Sequence, residues 1–332
     1  MTSEWRRDFL TGRWAIIAPE RANRPYELEE ETLACPFCEG MESQTPAEVY
    51  SIRRDGTPPN QPGWFVRVFP NKYPALRRDI SFWDVRDELY RVASGFGVHE
   101  VIVETPYHAL DFSELPREQV VRVLTAYRER LCFFEREKDL QYGLIFKNQG
   151  IEAGASMRHA HSQFIATPFI PQVILEELEG AMNFYRKRKE CPFCTLLTKE
   201  LEKAVRLVVE NDHFVAFVPY AARFPFEVML LPTHHAASFQ EETHFEDLAF
   251  VLGQVLRGVR ECSGMSSFNF VLHTAPYHIT NEVEKSYHWH FEILPAFLRA
   301  AGFEWGSGFS INVMRPEEAA QRLRLCLGLG GR

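Results

Sequence analysis

Two copies of the sequence Cys-Pro-Phe-Cys give this chain its first chemical signal. They pair Cys35 with Cys38 and Cys191 with Cys194, about half the chain apart. In a reducing compartment such closely spaced cysteines are metal ligands or redox centres rather than structural disulfides. Unligated core cysteines are a further alternative. Because soft thiolate donors suit zinc, we predict that each pair contributes to a tetrahedral zinc site.

Histidines complete both ligand sets when the two halves of the chain are aligned. His108, at the start of HALDF, aligns with His235, at the start of HAASF. His159 aligns with His288. Each half then offers two cysteines and two histidines, a tetrahedral ligand set that zinc prefers. In the second half four other histidines compete as ligands: His213, His234, His273 and His290.

The segment RHAHSQ has polar side chains at alternate positions, namely His159, His161 and Gln163. If this segment is a strand, as the following FIAT suggests, all three side chains project from one face. Such a row is costly to bury unless each member has a partner. We therefore expect a metal, a phosphate or a substrate beside it.

The repeat divides the roles within this row. Since His159 aligns with a predicted zinc ligand, we assign it to zinc, which leaves His161 as a nucleophile or general base. A neutral imidazole attacks phosphorus well when a carbonyl or carboxylate holds its other N–H. Gln163 can donate its amide N–H to a phosphoryl oxygen and, being neutral, does not repel the anion. The row predicts phosphoryl chemistry through a phospho-histidine.

The same row in the second half reads His288, His290 and Glu292. A carboxylate therefore stands where the first half has Gln163, and it would repel a phosphate. We expect the second half to lack the nucleophilic role.

The loop NQGIEAGAS, just before this row, is suited to phosphate contact. Asn148 and Ser156 offer amide and hydroxyl donors, and Gly154 lets the backbone approach an anion closely. We expect these three residues to contribute to the same site.

Two segments nearer the N-terminus contain further candidate residues for binding the phosphate-containing ligand. PERANRP places Arg21 three residues before Arg24, and FPNKYPAL contains Asn71. Arginine suits bidentate contact with phosphate. A solvated, charged face is the alternative for these residues.

The elements that must position these residues recur in the same order in both halves. Apolar residues at helical spacing predict a helix from about Pro116 to Lys138. They predict a second helix that begins at Thr243, with Glu246 completing a capping box. A short amphipathic helix is expected from Pro316 to Leu327.

Weakly alternating strands surround the helices, and turn-rich segments separate them. Adjacent antiparallel strands are favoured over crossover units by this pattern. We predict an α+β fold of two similar halves, residues 1–170 and 171–332, in which helices pack on a mainly antiparallel sheet.

Composition excludes several classes of protein. The 332 residues carry 37 basic and 45 acidic side chains, and a net charge of −8 argues against a general nucleic-acid scaffold. No apolar run approaches the ~18 residues that span a membrane. Residues 1–10 do not resemble a secretion signal, which predicts a cytoplasmic protein. We interpret the three remaining cysteines as small buried hydrophobes: Cys132, Cys262 and Cys326.

At HAHSQ, with the paired Cys-Pro-Phe-Cys clusters and PERANRP upstream, the sequence resembles the galactose-1-phosphate uridylyltransferase family. That family is a branch of the histidine-triad superfamily. The likeness runs from LTGRWAIIAPERANRP through FKNQG and HWHFEILP to GFEWGSG, nearly the whole chain. It implies duplicated histidine-triad-like halves, a homodimer, and ping-pong transfer of a nucleoside monophosphate through His161.

The resemblance also implies roles for individual residues. It matches four residues to the family's zinc site: Cys35, Cys38, His108 and His159. It matches three to phosphate contacts, Asn148, Ser156 and Gln163, and two to nucleotide-side arginines, Arg21 and Arg24. For the second metal it offers two sets, either Glu177, His273, His288 and His290 or Cys191, Cys194, His235 and His288. The second Cys-Pro-Phe-Cys cluster favours the latter set.

The residues between the two histidines bear on the substrate. Many uridylyltransferases read His-Pro-His-Gly-Gln, whereas Ala160 and Ser162 stand here, a form closer to ADP-sugar phosphorylases. The leading prediction is a UDP-glucose:hexose-1-phosphate uridylyltransferase of galactose metabolism, acting on a nucleotide sugar and a sugar 1-phosphate or phosphate. The alternatives are an ADP-sugar phosphorylase or adenylyltransferase, and a catalytically silent, zinc-stabilised nucleotide-binding protein.

Overall fold

The structure is a computed structural model, and it describes residues 3–23, 35–108, 111–264, 267–296 and 301–329. Its strands are β1 (Glu4–Arg7), β2 (Trp14–Ile17), β3 (Tyr50–Arg53), β4 (Trp64–Pro70), β5 (Asp84–Arg86), β6 (Arg91–Ser94), β7 (Val98–Val103), β8 (Tyr142–Gln149), β9 (His161–Thr167), β10 (Leu207–Glu210), β11 (Phe214–Phe217), β12 (Val228–Pro232), β13 (Phe268–His273) and β14 (His290–Pro295). Its helices are α1 (Arg117–Glu135), α2 (Gln172–Arg188), α3 (Pro192–Lys203), α4 (Phe245–Ser263), α5 (Asn281–Ser286), α6 (Gly302–Ser307) and α7 (Pro316–Cys326).

A ten-stranded sheet organises the molecule, in the order β10-β11-β12-β14-β13-β8-β9-β7-β4-β3. Its neighbouring strands pair antiparallel. Outward from the central β8–β13 pair, the first half contributes β8, β9, β7, β4 and β3, and the second half contributes β13, β14, β12, β11 and β10. Equivalent strands of the two halves therefore follow in the same order. The α+β, antiparallel prediction is therefore confirmed. The boundary between residues 170 and 171 stays a prediction, since the sheet runs on across the centre without a break.

A four-stranded sheet, β2-β1-β6-β5, accompanies the large one. No helix among the described residues is both long and apolar enough to cross a membrane.

Helices α1 and α4 cover the sheet and share one apolar core with it. Helix α1 begins after Pro116, as predicted, because proline fits the start of a helix, where its missing N–H is not needed. The predicted capping box at Thr243 is wrong. Helix α4 begins at Phe245, and the backbone N–H groups of Thr243 and His244 instead donate to Glu242, at 2.8 and 2.7 Å.

The three lone cysteines are more exposed than predicted. Cys132 and Cys262 are half-buried and Cys326 is exposed. Packing of α7 against α4 brings Cys262 and Cys326 to a Cα–Cα distance of 5.9 Å, and they form a disulfide. The interpretation of all three as small buried hydrophobes is therefore wrong.

Candidate active site and metal-ligand clusters

His161 and Gln163 lie on an interior strand of the first half. Strand β9 begins at His161 and is paired on both sides, with β7 and with β8. The two side chains are two residues apart and therefore share one face of the sheet. His159 precedes the strand, so the predicted row of three is a row of two. Before β9 starts, the chain turns so that the His159 ring reaches the first cysteine cluster.

The His161 ring is held in one tautomer. Its Nδ1 lies 2.8 Å from the backbone carbonyl oxygen of His159 and donates a hydrogen bond to it. The lone pair of the neutral ring is therefore on Nε2. The Phe37 ring packs against the imidazole with its centroid 5.3 Å away. This geometry presents Nε2 as the nucleophilic atom.

Gln163 is oriented by a residue that the sequence analysis missed, His99 on β7. The backbone N–H of Ala75 donates to Nδ1 of His99 at 3.0 Å, so the ring proton is on Nε2. That Nε2–H donates to Oε1 of Gln163 at 2.8 Å. With its oxygen held in this way, Gln163 keeps its amide N–H groups to donate to a ligand.

Two predicted binding residues gather around the same histidine. Nδ2 of Asn71 lies 3.2 Å from Nε2 of His99. Arg21 donates to the carbonyl of Tyr73 at 2.8 Å, and its guanidinium lies 3.4 Å from Nδ1 of His99. The structure therefore brings Arg21, Asn71 and Gln163 together through His99. Arg24 lies outside the described residues.

Asn148, Gly154 and Ser156 lie on β8 and the loop after it. The β8–β9 pairing ends at Phe146 and Gln163, and Asn148 is two residues further along, level with His161 and on the same face. Its Oδ1 accepts a hydrogen bond from Asn269 at 2.8 Å. Gly154 has a φ of +81°, which favours glycine, and Ser156 is buried.

A buried ionic network supports the strand that carries His161. Lys147 Nζ donates to the carbonyl oxygen of His161 at 3.0 Å and to Glu104 at 2.6 Å. Ser162 and Tyr127 hydrogen-bond the other oxygen of Glu104. Burial raises the pKa of Tyr127 well above its usual value, which keeps the phenol neutral. Charged residues inside the apolar runs HEVIVET and YGLIFKNQ are the signal that could have revealed this network.

The first cysteine cluster comes together as predicted from the sequence. Its four donor atoms, from Cys35, Cys38, His108 and His159, lie within 4.8 Å of one another. Nδ1 of His159 is 3.6 Å from each sulfur, and its Nε2–H donates to the carbonyl of Thr105 at 2.7 Å. The Nδ1 lone pair therefore faces the thiols, as a metal ligand requires.

Electrostatics in this cluster fit a bound cation. Burial lowers the pKa of His159 to about 4, so the ring is neutral. Burial and the neighbouring Cys35 raise the pKa of Cys38 to about 11. Two adjacent thiolates repel each other without a cation, and a zinc ion would remove that repulsion. The donor set fits zinc.

The second cluster repeats this arrangement. The donor atoms of Cys191, Cys194, His235 and His288 again lie within 4.8 Å of one another. Cys194 Sγ is 3.4 Å from Nδ1 of His235 and 3.8 Å from Nδ1 of His288. His235 donates its other N–H to the carbonyl of Glu284 at 2.8 Å. Hydrogen bonds with Cys194, His235 and His288 lower the pKa of the Cys191 thiol.

The alternative ligand set for the second half is divided between two places. His288 faces the cysteines, whereas Glu177, His273 and His290 form a separate group with Glu292. Glu177 lies 3.0 Å from Nδ1 of His273, and the His273 and His290 rings are 5.1 Å apart. Burial lowers the pKa of His290.

An ion-pair network takes the place of His99 and Gln163 in the second half. The pairing of β12 with β14 puts Glu227 and Glu292 at the positions equivalent to His99 and Gln163. Arg223 bridges the two carboxylates at 2.8 Å each. Nδ1 of His290 does contact the carbonyl of His288 at 3.0 Å, as in the first half. The two halves therefore share a backbone design but differ in charge beside the histidine.

Fold and site together define a two-half antiparallel α+β protein with paired Cys-X-X-Cys clusters and a His-X-His-X-Gln segment. Residues 1–171 match the family model described as galactose-1-phosphate uridyl transferase, N-terminal domain. Residues 143–323 match the model described as its C-terminal domain. The chain belongs to the galactose-1-phosphate uridyl transferase family.

Relatives with two different named activities are similar to this protein over nearly the whole chain. An ADP-glucose phosphorylase of Arabidopsis thaliana is 32% identical over 97% of this chain and 92% of that protein. A galactose-1-phosphate uridylyltransferase of Thermotoga maritima is 29% identical over 97% of this chain and 98% of that protein. A solved uridylyltransferase aligns with a TM-score of 0.83 at 32% identity, covering 99% of this chain and 100% of the other. The solved structure of an Arabidopsis thaliana ADP-glucose phosphorylase with bound ADP-glucose aligns with a TM-score of 0.77 at 31% identity, covering 97% of this chain and 99% of the other.

Proposed function

We propose that this protein is a nucleotidyltransferase that moves a nucleoside monophosphate from a nucleotide sugar to a second phosphate through a covalent nucleotidyl-histidine. The observation that carries the proposal is the His161 ring, whose Nδ1–H is held by the His159 carbonyl at 2.8 Å. The oriented amide of Gln163, two residues along the same strand face, supports it. The names of the relatives agree with this class of reaction.

In the first half-reaction, Nε2 of His161 attacks the α-phosphorus of the nucleotide sugar. A P–N bond forms as the bond from phosphorus to the bridging oxygen breaks, and the electron pair leaves with the sugar 1-phosphate. No proton needs to move, because Nδ1–H stays bonded to the His159 carbonyl while the ring becomes positively charged. That carbonyl stabilises the charge through a charge-assisted hydrogen bond.

In the second half-reaction, a phosphate oxygen of the acceptor attacks the same phosphorus and the P–N bond breaks, which restores neutral His161. The Gln163 amide donates to the phosphoryl oxygens, where charge accumulates in both transition states. Arg21, Asn71, Asn148, Gly154 and Ser156 are proposed to hold the nucleotide and its phosphates. Lys147 contacts the backbone carbonyl of His161 from the opposite side of the strand, and Glu104 holds the Lys147 ammonium in place.

We propose that zinc is the cofactor, held in the two Cys₂His₂ clusters. Four protein ligands close a zinc site, so the metal supplies structural rigidity and leaves no position for a substrate oxygen. His159 joins the first cluster to the reaction, since its ring faces the cysteines and its carbonyl holds His161. The cluster therefore positions the nucleophile.

Two donor nucleotides fit the proposal. UDP-glucose with a hexose 1-phosphate acceptor is the first candidate, in line with the family. ADP-glucose with a phosphate acceptor is the second, favoured by Ala160 and Ser162 and by the 32% identical relative. A homodimer and a cytoplasmic location stay predictions.

The test is to trap the intermediate with radiolabelled donors. The enzyme is mixed separately with UDP-glucose and ADP-glucose that carry label on the α-phosphorus, then quenched in base. We expect base-stable, acid-labile label on the protein with one of the two donors. Donor labelled on the β-phosphorus is the control and leaves no label, because that phosphorus departs with the sugar. Discharge by galactose 1-phosphate or by inorganic phosphate identifies the acceptor. An absence of protein-bound label with both donors rejects the covalent mechanism.

Gln163→Glu is expected to slow nucleotidylation by more than the roughly 10²- to 10³-fold that loss of one transition-state hydrogen-bond donor usually costs. The new carboxylate both removes the donor and repels the phosphate, so the loss exceeds that of Gln163→Ala. Glu292→Gln in the second half is the matched control and leaves the nucleotidylation rate unchanged. Rapid-quench measurement of the labelled intermediate gives these rates. Equal rates for wild type and Gln163→Glu would contradict the assigned role.

A further inference from the structure

A group of metal-ligand side chains lies outside both cysteine clusters, just before helix α4. We name it the His234 cluster, and it consists of His234, Glu242 and His244. One donor atom from each residue lies within 4.8 Å of the other two. His234 directly precedes the cysteine-facing His235, and His244 is the N-cap residue of α4.

The carboxylate of Glu242 has one satisfied oxygen and one unsatisfied oxygen. Oε1 accepts from the backbone N–H groups of Thr243 and His244, at 2.8 and 2.7 Å, and lies 3.1 Å from Nδ1 of His244. Oε2 is buried and has no hydrogen-bond partner among the described residues. Its neighbour is Nε2 of His234, at 3.6 Å. A buried carboxylate oxygen is unfavourable unless a donor or a cation meets it.

The two histidines of the cluster reach the protein surface. Their side chains are 43% and 41% exposed, whereas that of Glu242 is fully buried. The His244 ring stacks on His213 at a centroid distance of 3.9 Å, and His213 is held by Asp247 at 2.6 Å. Two of the three donor residues are therefore half-exposed, where a cation in water can reach them, and the third lies buried behind the surface.

We propose that His234, Oε2 of Glu242 and His244 bind a divalent cation of the zinc class. Two imidazoles and one carboxylate favour a transition metal over Mg²⁺ or Ca²⁺, which prefer sites made only of oxygen. Three protein ligands leave a coordination position for water or an exogenous ligand, unlike the closed cysteine clusters. This cation is therefore more exchangeable than the zinc proposed for those clusters.

The test compares metal content at equilibrium. Full-length wild type is dialysed against buffered Zn²⁺, and zinc per chain is measured by mass spectrometry. We expect the variant with both His234→Asn and His244→Asn to hold one zinc fewer per chain. Asparagine is a favoured N-cap residue, so α4 keeps its start. His278→Asn, at an exposed histidine elsewhere, is the matched control and keeps the wild-type count.

This difference does not depend on how many other sites are filled, because it is measured between variants. Glu242→Gln serves as a second variant that preserves the shape of the buried side chain. We expect it to weaken Zn²⁺ at this site by more than the about 10- to 100-fold that loss of an outer-shell partner causes.

Cobalt distinguishes this site from the cysteine clusters. When Co²⁺ is titrated into the protein, occupation of a thiolate site adds sulfur-to-cobalt charge-transfer absorption. The wild type should bind one more Co²⁺ per chain than the double variant. That additional ion should bind without such absorption, because its ligands are nitrogen and oxygen. Equal metal content in wild type and a folded double variant would overturn the proposal. So would sulfur-to-cobalt absorption from the Co²⁺ ion that wild type binds and the double variant does not.

Discussion

Replacing His161 by alanine is expected to abolish the protein-bound nucleotidyl label and to reduce turnover by roughly 10⁴-fold or more. The estimate follows from the loss of a covalent nucleophile, which lowers kcat by about 10⁶-fold in a serine protease. Among the described histidines, His161 is the one that lies on β9, the strand that carries Gln163. The ring lies at the start of β9, so alanine leaves the paired backbone of that strand in place. Quenched labelling and steady-state turnover measure the two effects.

His290 provides the matched control for this substitution. It has the same carbonyl contact as His161, 3.0 Å to His288, and a similarly buried ring. It faces Glu177 and Glu292 rather than a neutral amide, so we expect His290→Ala to keep the nucleotidyl label. Persistence of label in a folded His161→Ala protein would point to a different active site. Loss of label in His290→Ala, with label kept in His161→Ala, would place the nucleophile in the second half.

Local patterns in the sequence were sufficient for most of the fold. The repeated order of strands and helices predicted two antiparallel halves, and helical spacing located α1 and α7 to within a few residues. The predicted start of α4 was wrong because Thr243 is a residue type that often caps helices, although it does not cap this one. Glu242, one position earlier, takes the backbone N–H groups instead, and its burial depends on tertiary packing.

The candidate site was predictable where the repeat supplied its register. Cys194, His235 and His288 could be matched to their first-half counterparts, and the structure brings the corresponding atoms together. Spacing alone could not choose between His288 and His290, which are two residues apart. The choice is made by where β14 begins, because His290 starts the strand and His288 precedes it.

The supporting residues could not be found in this way. His99 meets Gln163 across the pairing of β7 with β9, a contact between residues 64 positions apart in the chain. Lys147 and Glu104 likewise meet only after three strands have assembled. A sequence pattern shows which residues can share a face of one element, but the partner strand and its register come from the whole fold.

Removing the metal ligands of the first cluster is expected to affect both stability and catalysis. Cys35→Ser combined with Cys38→Ser should eliminate one zinc per chain and reduce the free energy of unfolding by about 4 kcal/mol or more, because the energy of binding a structural metal is also folding energy. It should also slow nucleotidylation by at least roughly 10-fold, as loss of an outer-shell partner does. The reason is that one residue joins the two places. The ring of His159 faces the cysteines of the cluster, and the backbone carbonyl of His159 holds Nδ1 of His161.

The equivalent substitutions in the second cluster separate these two effects. Cys191→Ser with Cys194→Ser should likewise eliminate one zinc and lower the unfolding free energy, because that cluster has the same ligand types and spacing. The nucleotidylation rate of the protein that remains folded should stay near the wild-type value, since His288 supports His290 rather than the nucleophile. Metal analysis, denaturant unfolding and rapid-quench labelling measure zinc, stability and rate independently. If both double variants lost nucleotidylation equally, the rate would depend on overall stability alone, and the link from the first cluster through His159 to His161 would be wrong.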